Sequence, residues 1–258
     1  SLEEPSPMSR GAIHRDEGIV LRTYRLGEAD RIIVVLTKRR GKVRAVAKGV
    51  RKTRSKFGSR LEPMSHVALQ LYEGRELDLI TQADSIDHFR ALRDDLDRLG
   101  RAVAMLETAD QLAQEGEVNP RLYEMLLGAL RTLDGTDSPL VVPAFFWKVL
   151  ALEGYRPEVE VCVLCGADEA DAAAGGGSGA GLVAFDLDSG GLLCHGCRRG
   201  TAVSPAAVAL LQQILGGRLN EALAAPPSAA TGEVDHLATR AVEHHLERRL
   251  RSVTVLDH

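Results

Sequence analysis

The sequence predicts an α+β fold, with a small N-terminal β-barrel preceding a mainly α-helical region that carries a cysteine-bearing insert. Three observations predict it. Short β-branched segments punctuated by glycines fill residues 13–84. The apolar spacing turns helical after Asp84. All four cysteines fall within the helical part, in two C-x-x-C pairs. At 258 residues, with 45% hydrophobic and 26% charged content, the chain has a globular composition and can bury a real core.

Residues 1–12 show no periodicity and are expected to be a flexible tail. Residues 19–24 and 31–37 are rich in β-branched side chains, and 32–36 form an unbroken apolar run suited to a buried strand. Gly27 and Gly41 stand where turns are needed. After Gly41, Val43, Ala45 and Ala47 alternate with Arg44, Val46 and Lys48, so one face is apolar and the other partly cationic. Val67, Leu69 and Leu71 alternate again, and Leu77 and Leu79 supply a fifth strand. Five short strands without a long helix between them fit a closed or nearly closed barrel of the oligonucleotide-binding (OB) type.

The second part, residues 85–258, reads as helices. Leu92, Leu96, Leu99, Val103, Leu106 and Ala113 recur at helical spacing. Asn119-Pro120, Ser138-Pro139 and Ser204-Pro205 are cap-plus-proline helix starts. The first leads to Leu122, Leu126, Leu127 and Leu130, and the third to Leu210, Leu211 and Ile214. The second leads to Phe145, Phe146, Trp147, Val149 and Leu150, apolar almost all round and therefore central to the core. A last helix over 233–251 turns Leu237, Ala241, His244 or His245, and Leu250 inward. The insert spans 158–200, and its Gly/Ala/Ser run at 172–181 predicts a flexible loop.

The net charge of −4 conceals a strong asymmetry. Residues 10–60 hold 16 Lys and Arg against 4 Asp and Glu, a surplus of +12. Charge runs are usually solvated surface, but a surplus this large in one segment points to a polyanionic partner. Lys38-Arg39-Arg40-Gly41-Lys42 caps the hairpin between the second and third strands. Lys48, Arg51, Lys52, Arg54, Lys56 and Arg60 occupy the connection after the third. Loop-borne cations can track a phosphate backbone. Phe57 and Tyr24 could stack on bases, though packing is the commoner role, and aromatics at 4% of the chain favour backbone contacts that ignore sequence.

Cys162-Val163-Leu164-Cys165 and Cys194-His195-Gly196-Cys197 form two metal knuckles, and together they complete a tetrahedral four-sulfur shell that suits one structural zinc. The 28 residues between the pairs exceed the usual ribbon spacing, which the Gly-rich run accounts for. His195 could replace one thiolate. Redox thiols would want a thioredoxin-like context that is absent.

Enzyme signatures fail. There is no Walker-type G-x-x-x-x-G-K-[ST], no H-E-x-x-H and no zinc-deaminase motif. Asp186 and Asp188 could hold magnesium in a nuclease but read better as turn residues, and Asp94, Asp95 and Asp97 mark a helix start. No apolar run reaches the length of a transmembrane helix and residues 1–15 lack a signal peptide, so a cytoplasmic protein with reduced thiols is expected.

The chain resembles the bacterial recombination mediator family RecO. The resemblance rests on Gly18-Ile19-Val20-Leu21, Leu26-Gly27-Glu28-Ala29-Asp30, Leu36-Thr37 before Gly41-Lys42, Ala47-Lys48-Gly49-Val50-Arg51-Lys52 with Ser55, and Leu61-Glu62-Pro63. The two cysteine pairs in a helical region fit as well. The Ala/Gly-rich loop and the acidic N-terminal tail depart from the family pattern. The resemblance implies binding of single- and double-stranded DNA, annealing of complementary strands, and help in loading a recombinase onto DNA coated by single-strand-binding protein. It implies RecR and the acidic C-terminal tail of single-strand-binding protein as partners, the tail held by an apolar pocket with a cation on the helical region. It implies no covalent catalysis and a nucleoid-associated place in the cytoplasm. The expected DNA contacts are Lys38, Arg39, Arg40, Lys42, Arg44, Lys48, Arg51, Lys52, Arg54, Lys56 and Arg60. An RNA-binding module of translation or transcription is the alternative, since OB folds and zinc knuckles serve there too. A metal-dependent nuclease comes third.

Overall fold

The alternating segments close on themselves. In the computed structural model, which describes residues 11–168 and 181–256, five strands make a barrel. They are β1 (Ile13–Leu26), β2 (Asp30–Thr37), β3 (Gly41–Ala47), β4 (His66–Tyr72) and β5 (Asp78–Asp87), in the order β1-β2-β3-β5-β4. All pairs are antiparallel except the short β3–β5 pair, which is parallel. This is the OB-like barrel expected from the strand count. Val20, Ile33, Val35, Ala45, Val67, Leu69, Leu71 and Ile80 fill it from alternate positions. In β2, residues Ile32 through Thr37 are buried on both faces, which explains the unbroken apolar run.

Only Ala45 and Val46 of β3 pair with β5. The first half of β3 is instead met by residues 113–117. Lys42 bridges Glu115 in parallel fashion, and the Gly116 N–H donates to the Lys42 carbonyl at 3.2 Å. The chain approaches so closely that a Cβ on Gly41 would run into the Glu117 carbonyl, and Gly41 also sits at φ +71°. Gly41→Ala should therefore lower stability by about 1–3 kcal/mol. Chemical denaturation measures this, and an unchanged midpoint would refute the close approach.

The chain forms two compact units. One comprises residues up to Phe89 together with 113–127, and the other residues 90–112 and 128–258. Within the first, buried His66 shares a 2.8 Å hydrogen bond with the Tyr123 hydroxyl.

The remaining elements are helices around one small sheet. They are α1 (Arg90–Asp94), α2 (Leu96–Leu112), α3 (Pro120–Gly135), α4 (Val141–Leu152), α5 (Pro205–Leu215), α6 (Leu219–Leu223) and α7 (Ala229–Leu256). Asn119 caps α3 through the Leu122 N–H at 3.0 Å, and Ser204 caps α5 through the Ala207 N–H at 3.2 Å. In α4, Phe145, Phe146, Trp147, Val149 and Leu150 are all buried, as its all-round apolar sequence demands. It starts two positions beyond the Ser138-Pro139 pair, and Ser138 fixes the entry by accepting from the Leu140 N–H at 3.3 Å. In α7, His245 is the histidine that turns inward. The Leu250 side chain and most of the 172–181 loop lie outside the described residues.

One helix differs from its expected phase. The Asp95 carboxylate accepts from the N–H groups of Asp97 and Arg98, both at 3.0 Å, so it ends α1 and restarts the chain as α2. Those bonds hold the Asp95 carboxyl below its ordinary range. The restart shifts the buried stripe to Ala102, Met105, Leu106 and Ala109, leaving Leu96 83% and Val103 40% exposed. The insert and the two residues that follow it build a three-stranded sheet unforeseen in the sequence. Here β6 (Leu182–Asp186) lies between β7 (Gly191–Cys194) and β8 (Thr201–Ala202). Phe185 of β6 packs on Trp147 of α4, with ring centroids 5.6 Å apart.

Candidate nucleic-acid interface and metal centre

The first basic cluster forms the turn between β2 and β3. Thr37 shapes it, donating to the Gly41 carbonyl at 2.8 Å and accepting from the Arg40 N–H at 3.1 Å. The Arg39 N–H donates to the Asp16 carboxylate at 3.1 Å, which ties the turn to β1. Lys38 and Arg39 project into solvent. Arg40 does not, because it pairs with Asp78 at 3.2 Å. Lys42 is half-buried. Arg44 bonds the Tyr24 hydroxyl and pairs with Glu115 at 2.6 Å, which hold its pKa up. Arg40 and Arg44 are therefore neutralised by acids distant in sequence.

The second cluster lies on residues 48–65, a string of tight turns. Phe57 and Leu61 point into the barrel core at 1% and 3% exposure and hold the connection down. Phe57 is thus a packing residue rather than a stacking platform. Tyr24 is half-buried, with the Arg22 guanidinium 5.5 Å above its ring. Lys48, Arg51, Lys52, Arg54, Lys56 and Arg60 are all exposed. Three of them donate to main-chain carbonyls: Arg51 to Gly27 at 3.3 Å, Lys56 to Thr81 at 3.1 Å and Arg60 to Lys56 at 3.0 Å. A neutral carbonyl fixes a cation in place without cancelling its charge, so this surface stays positive.

Strand residues overlooked in the sequence join both clusters. Arg15 lines a cavity of about 400 Å³ with Lys38, Arg39, Gln70 and Gln82, whose wall also carries Asp16, Glu17 and Asp84. Arg25 and Arg31 share a cleft of about 380 Å³ with Arg51. Their signal was already present in the +12 surplus, which counts these arginines as well as the loop cations.

The helical unit brings the four cysteines together. Their sulfur atoms all lie within 4.8 Å of one another, and Cys165 Sγ and Cys194 Sγ are 3.7 Å apart. A tetrahedral ion with bonds of about 2.3 Å needs sulfur–sulfur edges of about 3.8 Å, so the thiols fit a four-sulfur ion. Gly166 at φ +77° lets the first knuckle turn, and its N–H donates to the Cys162 carbonyl at 2.8 Å. Burial opposes ionisation of Cys162, but N–H groups of Cys194, Cys165 and Leu164 outweigh it and bring the thiol down to about 6. Cys197 is pushed up to about 12 by the sulfurs of Cys165 and Cys194 beside it. One thiolate forms readily while Cys165 and Cys197 resist, which is the electrostatics of a site made for a cation. His195 is exposed and stands outside the cluster. Asp186 is bound by Ser189 and by Arg199, 2.9 Å away, which keep its carboxyl low, and Asp188 is 85% exposed in the same turn. Among the described residues, the four cysteines alone are grouped to hold an ion.

A closed OB-like barrel with a cationic connection, together with a four-cysteine metal-binding ribbon, defines a class of DNA-binding, metal-binding proteins. Residues 8–89 match the family described as Recombination protein O N terminal, and 93–254 match Recombination protein O C terminal. Three proteins named DNA repair protein RecO align over 95% of this chain. They come from Frankia casuarinae, 46% identical across 98% of that protein, Nocardioides sp., 44% across 99%, and Thermobifida fusca, 42% across 99%. The chain belongs to the recombination protein O (RecO) family, and its role lies in DNA repair and recombination.

Proposed function

We propose that this protein is a recombination mediator. In this reading it binds single- and double-stranded DNA, anneals complementary strands and helps load a recombinase onto DNA coated by single-strand-binding protein. One observation carries it: residues 48–65 are pinned by Phe57 and Leu61, yet leave six cations in solvent, three of them held against neutral carbonyls. Two DNA strands repel through their phosphates, and a fixed cationic surface lowers that repulsion while releasing counterions. Lys38, Arg39, Lys48, Arg51, Lys52, Arg54, Lys56 and Arg60 are the proposed contacts, joined by Arg15, Arg25 and Arg31. Arg40, Lys42 and Arg44 serve the barrel, the two arginines through their acid partners. The barrel unit, whose last strand runs on to Asp87, is the DNA module, and the helical unit supplies the surfaces for RecR and for the acidic tail of single-strand-binding protein. The ion is zinc and purely structural, because four thiolates fill its shell. No covalent step is involved, and the protein works in the cytoplasm at the nucleoid.

The test is annealing of two complementary oligonucleotides, each coated beforehand with single-strand-binding protein. The protein should accelerate duplex formation at least tenfold over the coated strands alone. Intact DNA binding with no acceleration would overturn the mediator reading.

A further inference from the structure

The cavity beside the β2–β3 turn carries charges of both signs that do not pair. It holds about 400 Å³, a size typical of small-ligand sites. Its floor is the outward face of three neighbouring strands. Register sets Arg15 of β1, Gln70 of β4 and Gln82 of β5 side by side in one row, and Glu17, Ala68 and Asp84 in the next. The residues between the rows, Asp16, Leu69 and Ala83, are buried, so both rows face out. Ala68 is small and leaves a hollow between its two acidic neighbours. Lys38 and Arg39 of the turn close one side. Asp16 is committed to holding that turn, since its two oxygens accept from the Glu17 and Arg39 N–H groups at 2.8 and 3.1 Å. Asp84 accepts from the Gln82 amide at 3.0 Å. Among the described residues, the side chains of Glu17, Gln70, Arg15, Lys38 and Arg39 make no hydrogen bond or ion pair. Opposite charges that line one space without closing on each other leave it open to a ligand.

A phosphate does not suit the floor, because Glu17 and Asp84 repel it. The same carboxylates accept from amino groups, which guanine, adenine and cytosine carry and thymine lacks. Guanine alone presents two adjacent donors, N1–H and the N2 amino group, which match the two oxygens of one carboxylate. Its O6 accepts from an amide N–H. We infer that this cavity takes one unpaired base of a DNA single strand, with guanine preferred. Glu17 accepts from guanine N1–H and N2–H, the Gln70 amide donates to O6, and Arg15, Lys38 and Arg39 hold the phosphates on either side. The inference rests on the DNA-binding role proposed for the barrel, and it adds base reading to a surface whose other contacts ignore sequence.

The test compares a short labelled oligothymidylate with the same strand carrying one central guanine or one central hypoxanthine. Fluorescence anisotropy reads the affinity of the full-length protein for each. Guanine should tighten binding about tenfold over thymine, the discrimination of one good bidentate contact. Hypoxanthine, which lacks the 2-amino group, should lose most of that gain. Glu17→Ala, an exposed change compatible with folding, should bring the guanine strand down to the level of the thymine strand. If Glu17 acts only through its charge, its removal tightens both strands equally and the guanine preference survives, which overturns the inference. Equal affinity of the parent protein for the guanine and thymine strands overturns it too, while that binding itself upholds the DNA-binding role. Failure to bind any strand overturns both.

Discussion

Replacing Cys162 by Ser should empty the metal site and unfold the ribbon. Cys162 is the most enclosed of the four ligands, at 1% exposure, and its sulfur ionises most readily because main-chain N–H groups converge on it. A serine keeps the shape but offers a poor ligand, and the remaining three thiols repel one another as they ionise. Structural zinc contributes roughly 10–16 kcal/mol of apparent binding free energy in isolated finger peptides. The ribbon borrows stability from α4 through the Trp147–Phe185 contact, so part of that loss is buffered. A residual loss of about 4 kcal/mol would still lower the melting temperature by roughly 10 °C, at about 2–4 °C per kcal/mol for a chain of this size. Elemental analysis should find little zinc per chain, against one ion in the parent protein. Acidification should empty the parent site too, since protons compete for every sulfur. Full metal content with unchanged melting in the Ser variant would contradict the four-sulfur assignment.

The second large effect is expected on the barrel. Reversing Arg51, Lys52 and Arg54 to Glu together should weaken single-stranded DNA binding about 100-fold at roughly 0.1 M salt. Each phosphate contact on a single strand releases about 0.7 counterion, worth a factor of about five at that concentration. The log–log salt slope should shrink by about 2 units, and the loss should be uniform across sequences because backbone contacts carry no base information. Arg44→Gln is the contrast. Its guanidinium is already neutralised by Glu115 at 2.6 Å, so the slope should not move. Fluorescence anisotropy over a salt series measures all three proteins. An unchanged slope in the triple variant would remove residues 48–65 from the DNA footprint.

The barrel strands were legible because period-2 alternation is written locally, as in Val67, Leu69 and Leu71. The helix starts at Asn119 and Ser204 were legible for the same reason, since a cap acts within three residues. The metal ligands were legible because two-residue spacing itself sets the geometry of a knuckle. What escaped was set by distance along the chain. Nothing near Arg40 or Arg44 announces Asp78 or Glu115. Strands of two to five residues, such as β6 to β8, are too short to show a period. A single aspartate, Asp95, reset the phase of a helix whose leucines suggested one continuous stripe.

The segment 113–117 along the open half of β3 has one more consequence. The family divides this chain into two consecutive stretches, 8–89 and 93–254, but the barrel reclaims residues 113–127 from the second stretch. No single cut separates two self-sufficient halves. A fragment ending at Phe89 would carry every barrel strand and all the proposed DNA-contact cations, yet bare the main-chain groups of Lys42 and leave His66 without Tyr123. Such an exposed strand edge is a template for pairing with other chains. The fragment would be sticky for reasons unrelated to nucleic acid, and its retention on a polyanionic column would say little about the intact protein.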